Sequence, residues 1–109
     1  MKQRRGAKIV LEAEEDRTVT KDPTTAVALG YERGGDDLPR VLAKGRGAIA
    51  AQIIAVAEEH GITVHRDEDL VEVLDRLEID APIPVAAFAA VAEILAHLYR
   101  LNDDMGKKS

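Results

Sequence analysis

Between Lys44 and Gly61 the chain carries a helical stripe, Ile49, Ile53, Val56 and His60, at steps of three and four, framed by glycines. Ile54 and Ala57 widen the stripe, and Gly61 stands where a left-handed C-terminal cap needs a residue without a Cβ. Strand-like sequence lies on both sides of this helix. Before it, Ala26 to Glu32 and Val41 to Ala43 read as strands joined across the turn cluster Arg33-Gly-Gly-Asp-Asp-Leu-Pro39. After it, Ile62-Thr-Val-His65 alternates apolar and polar, as a half-buried strand does. A helix between two strands is a crossover connection, so the expected fold is α/β: a small mixed β-sheet of about four strands flanked by helices.

The remaining elements follow from local signals. Asp67 is placed to cap a helix whose first turn holds Glu68 and Asp69, with Leu70, Val73, Leu74 and Leu77 as its buried stripe. Pro82 and Pro84 break the pattern, and Pro84 suits a first helical position because it has no N–H to leave unpaired. The last helix, Pro84 to Leu101, is expected to bury Phe88, Val91, Leu95 and Leu98 and to expose Glu93, His97 and Arg100. At the other end, Lys8-Ile-Val-Leu11 and Thr18-Val-Thr20 have strand-like content without a clear period. The expected layout is a flexible N-terminal arm over 1–16, a domain over 17–102 and a C-terminal tail over 103–109. A strand-like arm could also pair with the sheet edge of a second copy, giving a homodimer through the arm.

Composition narrows the chemistry. A chain of 109 residues is one domain with tails. Its aromatic share is 3%, so the core is aliphatic and stacking on single-stranded nucleic acid is disfavoured. The net charge of −5 also argues against a nucleic-acid partner, because affinity for phosphate backbones rests on Lys and Arg. The chain has no cysteine, which removes disulfides, thiolate metal sites and cysteine nucleophiles. No run of about 18 apolar residues is present, so no direct membrane insertion is expected. Charge is uneven: Lys2, Arg4, Arg5 and Lys8 form a basic tip, while seven acids stand against Arg76 between Asp67 and Asp80.

Individual polar residues give little chemistry. His60, His65 and His97 lack metal-ligand spacing and read as surface or helix-end residues, with no metal and no cofactor implied. Glu93 and His97 are four apart, an ordinary helix-face pair. Lys44-Gly-Arg-Gly47 does not match a phosphate-binding loop; its glycines read as a tight turn from strand into helix.

Larger blocks are more specific. Asp22-Pro-Thr-Thr-Ala-Val-Ala-Leu29, then Leu38-Pro-Arg-Val-Leu-Ala-Lys-Gly-Arg-Gly47, Ala57-Glu-Glu-His-Gly-Ile62 and Ala90-Val-Ala-Glu-Ile-Leu-Ala96 with Tyr99-Arg-Leu-Asn102 occur in this order. Over about residues 17–102 the chain resembles the cytoplasmic domain of the FlhB/YscU family, the substrate-specificity switch proteins of flagellar and virulence type III export. That resemblance implies a cytoplasmic protein-binding module at the export gate of the inner membrane, whose partners are export-apparatus proteins or export substrates. It also implies kinship with stand-alone homologues made of the soluble domain alone. Lys44 and Arg46 are the expected polar contacts for a partner.

One departure is chemical. The family cleaves itself at Asn-Pro-Thr-His, where the Asn amide nitrogen attacks its own carbonyl; the matching residues here are Asp22, Pro23, Thr24 and Thr25. An ionised carboxylate has no nitrogen with which to close a succinimide, and threonine does not replace histidine as a proton acceptor. The expectation is a degenerate cleavage motif and no enzymatic activity. The alternatives are an autoproteolytic domain that still cuts at Asp22-Pro23, and a cytosolic adaptor unrelated to secretion.

Overall fold

The structure is a computed structural model that describes residues 6–14, 24–32 and 38–106, with side chains described over 8–14, 24–31 and 38–97. Its elements are β1 (Gly6–Glu14), β2 (Thr24–Glu32), β3 (Arg40–Arg46), α1 (Ala48–Glu59), β4 (Thr63–Arg66), α2 (Glu68–Leu74) and α3 (Val85–Gly106). The four strands form one sheet in the order β3-β2-β1-β4. β1 runs antiparallel to β2 and parallel to β4, and β2 runs antiparallel to β3. The sheet is therefore mixed, and α1 is the crossover that carries the chain from one edge strand to the other.

Each face of the sheet has its own core. Ile9, Leu11, Ala13, Val27, Leu29 and Val41 pack under α2 and α3, against Leu70, Val71, Leu74, Ile83, Ala87, Val91 and Leu95. On the opposite face Val10 and Ala26 meet Ala50 and Ala57 of α1, with Ile53, Ile54, Ile62 and Val64 around them. A fully buried aliphatic side chain contributes about 1.5–3 kcal/mol, so the larger aliphatic cluster under α2 and α3 dominates stability.

Several expectations need correction. Gly6–Glu14 is not a flexible arm: it is a central strand, bonded to β2 on one side and β4 on the other. Ile9, Val10 and Leu11 are at most 3% exposed, because a strand covered on both faces needs apolar residues at consecutive positions and so loses the period-2 signal. The same pairing overturns the arm-mediated dimer, since over Ile9 to Glu12 both backbone edges of β1 are engaged within the chain.

The helices are rotated relative to their expected stripes. On α1 the buried residues are Ala50 and Ala57, whereas Ile49, Val56 and His60 are exposed. The sheet offers small residues beneath this helix, Ala26 and Ala28, and the helix sets its own alanines against them. Ile49 instead lies over Gly45, where a Cβ would collide with its side chain. On α2, Val71 replaces Val73 in the buried set, and Val73 is exposed. On α3, Ala87 joins Val91 and Leu95, with Phe88 only partly buried; the side chains of Leu98 and Arg100 lie outside the described residues. α3 runs to Gly106, so 103–106 is helix rather than tail.

Local end signals act as expected. Gly61 has φ 71°, and the N–H of Ile62 donates to Ala57 at 2.7 Å while that of Gly61 donates to Glu58 at 3.3 Å, a Schellman termination of α1. Asp67 Oδ1 accepts from the Leu70 N–H at 3.0 Å, the N-cap of α2, worth about 1 kcal/mol. The segment after α2 folds back along β3: Val41 N–H donates to Ala81, Asp80 N–H to Val41, and Ile83 N–H to Pro39. This covers part of an edge strand that would otherwise invite pairing.

Candidate functional site

Thr24 and Thr25 are the first two residues of β2. Asp22 and Pro23 lie outside the described residues, while Thr24 opens the strand and its carbonyl accepts the Gly47 N–H at 2.9 Å. Thr25 pairs with Ala13 on β1 and with Arg46 on β3. It is 2% exposed, and its hydroxyl has no hydrogen-bond partner among the described residues. A buried hydroxyl left unpaired costs about 1–3 kcal/mol. Thr25→Val keeps the shape and removes that cost; urea unfolding is expected to show a gain of about 1 kcal/mol.

Lys44 stands across from Val27, on the sheet face that carries α2 and α3. Its ammonium donates to the carbonyl oxygens of Asp75 at 2.8 Å and Leu77 at 2.6 Å. Asp75 and Leu77 lie just past the C-terminal, negative end of α2, which has no basic residue of its own in the last turn. Lys44 therefore ties β3 to the turn that follows α2, and two of its ammonium protons are engaged within the chain. Lys44→Met preserves the stem and removes both bonds. The expected loss is about 2 kcal/mol of unfolding free energy in urea, with α2 amides exchanging hydrogen faster.

Arg46 remains at the surface, with its guanidinium 3.5 Å from Asp75 Oδ2 and its side chain 60% exposed. An exposed ion pair of this kind is worth about 0–1 kcal/mol, so the Asp75 contact adds little to stability. Asp75 was not marked by the sequence. Its carbonyl takes Lys44 and its carboxylate takes Arg46, contacts 31 and 29 positions away in the chain that leave no local signature.

The histidines sit on separate parts of the fold. The His60 ring Nδ1 is 2.9 Å from the Val56 carbonyl, closing the end of α1. His65 lies on β4 and His97 is exposed on α3. Among the described residues no group of three or more His, Asp or Glu is placed to hold a metal ion.

The model of the FlhB HrpN YscU SpaS family matches residues 1–98. The chain belongs to this family. Over 83 residues it is 40% identical to the uncharacterized protein YlqH of Bacillus subtilis, covering 76% of this chain and 89% of that protein. It is 41% identical to the flagellar biosynthetic protein FlhB of Yersinia enterocolitica over 88 residues, covering 80% of this chain and 23% of that FlhB. The cytoplasmic domain of FlhB from Shewanella putrefaciens superposes with a TM-score of 0.70 at 25% identity, covering 91% of this chain and 76% of that one. A C-terminal domain of EscU carrying an asparagine-to-aspartate substitution superposes with a TM-score of 0.65 at 27% identity, covering 81% and 74%.

Within the FlhB/YscU family this chain therefore has the fold of the cytoplasmic domain, and the four-stranded mixed sheet expected from its sequence is that fold. Among the described residues no helix is long and apolar enough to cross a membrane.

Proposed function

We propose that the chain is a non-enzymatic protein-binding module of flagellar or type III export, akin to the substrate-specificity switch domain, that does not cut itself at Asp22-Pro23. Membership of the FlhB family supports the export role. The observation that carries the second half is the residue pair at the switch loop: a carboxylate at Asp22 where the reaction needs an amide nitrogen, and at position 25 a threonine hydroxyl, buried and without a hydrogen-bond partner among the described residues, where the family has a histidine. The module acts by contact with export-apparatus proteins or their substrates on the cytoplasmic side of the inner-membrane gate. Arg46, exposed at the end of β3 across from Thr25, is its polar contact in this reading.

Two measurements test this. An intact mass spectrum of freshly purified protein at pH 7 is expected to show one species near 11.8 kDa. A Pro23–Ser109 fragment in high yield would sink the non-cleaving half. Affinity capture from a motile source strain is expected to retain export-gate or hook proteins, and to lose them with Arg46→Glu. Capture that is the same with and without Arg46 removes that residue from the binding surface, and no export protein at all removes the role.

A further inference from the structure

The outward face of α1 is uncharged in a chain that is 32% charged: from Ala48 to Ala57 its one polar residue is Gln52. A surface helix ordinarily carries charge on its wet side, and one that is apolar all round is covered on both sides. Here the sheet covers only Ala50, Ala57 and, in part, Ile53 and Ile54. Ile49 is 56% and Val56 51% exposed, and Ala48, Ala51, Gln52 and Ala55 are exposed with them. Helical spacing puts Ala48, Gln52, Ala55 and Glu59 on the outermost line, so a second helix could approach closely over the alanines.

The ends of α1 say which occupant fits. Its first turn has no acidic residue and its N-cap, Gly47, makes no side-chain hydrogen bond; its last turn holds no base, and Glu58 and Glu59 are exposed there. Both ends are thus set against the helix dipole, with negative charge at the negative end and none at the positive end. A second α1 lying antiparallel would correct both at once, placing its Glu58 and Glu59 at the unoccupied N-terminus and offering its own N-terminus in return. The contact is self-complementary under a two-fold axis and has no charge along its middle, as an isologous dimer requires.

We infer that α1 is a homodimer surface, with two copies packed antiparallel through Ala48, Gln52, Ala55 and Val56 and with Glu58 and Glu59 of each at the α1 N-terminus of the other. This inference does not depend on the export role. A contact made by one 12-residue helix falls below the ~800 Å² per partner of a stable interface, so the dimer is expected at about 0.1 mM and not in the nanomolar range.

Sedimentation equilibrium of the full chain from about 10 μM to 1 mM is expected to show the mass rising from 11.8 kDa toward twice that value. Gln52→Lys puts like charges together near the two-fold axis and is expected to hold the chain monomeric throughout, with an unchanged thermal melt because the residue is exposed. Val73→Lys, an exposed change on α2, is expected to leave association intact. Orientation is read by cysteines in this cysteine-free chain: mixed Ala48→Cys and Glu59→Cys proteins should form the mixed disulfide. Two Ala48→Cys copies would lie about 16 Å apart, beyond disulfide reach. Monomer at every concentration overturns the inference and leaves α1 to a different partner. Association unaffected by Gln52→Lys, or a predominance of Ala48→Cys homodisulfides, overturns it as well.

Discussion

A chain that begins at Asp16 is expected not to fold. Removing β1 takes Ile9, Leu11 and Ala13 from one core and Val10 from the other, and it removes the strand on which β4 pairs. β2 loses one of its two neighbours, and α1 and α2 lose part of the surface they cover. With about 1.5–3 kcal/mol for each large aliphatic side chain, the loss is comparable to the whole stability of a small domain, about 5–15 kcal/mol. The expected result is a chain with no cooperative thermal transition and collapsed amide dispersion in a proton–nitrogen correlation spectrum. A milder probe of the same claim is Leu11→Ala, which should cost about 2–5 kcal/mol in urea. A truncated protein that melts cooperatively near the temperature of the full chain would show that β1 is dispensable.

The double variant Asp22→Asn, Thr25→His is expected to gain self-cleavage. The asparagine amide nitrogen would attack its own carbonyl carbon, closing a succinimide as the bond to Pro23 breaks, and the proline nitrogen would leave as an amine that takes up a proton. Histidine at position 25 supplies the proton acceptor that threonine does not. Because the cut would fall between β1 and β2, and these strands are paired over nine residues, both pieces should stay together under native conditions. Denaturing mass spectrometry would separate residues 1–22 from 23–109, while native mass would be unchanged. The new ring enters a buried position, so a stability loss of about 1–3 kcal/mol from overpacking is expected alongside. A double variant that folds yet shows an uncut chain in denaturing mass spectrometry would mean that more than these two side chains is needed.

The parts of the fold that were legible in the sequence are those made by neighbours in the chain. The Gly61 and Asp67 helix ends, the Pro84 start of α3 and the hairpin partnership of β2 and β3 are set by φ angles, caps and turns within a few residues. The candidate site was legible only in its motif residues. That Thr25 is buried with no hydrogen-bond partner among the described residues, and that the Lys44 ammonium is held by the carbonyls of Asp75 and Leu77, depends on chain segments brought together from outside the local sequence.

By itself the sequence determined an α/β domain with a crossover helix and an aliphatic core without cysteine. Tertiary structure decided which apolar residues are inside. A period shows that a helix has an apolar side, but small Ala26 and Ala28 on the sheet drew Ala50 and Ala57 inward and left Ile49 and Val56 at the surface. It also decided that Gly6–Glu14 is the middle of the sheet, because burial on both faces erases the alternation by which a strand is read and only the partners on either side reveal it.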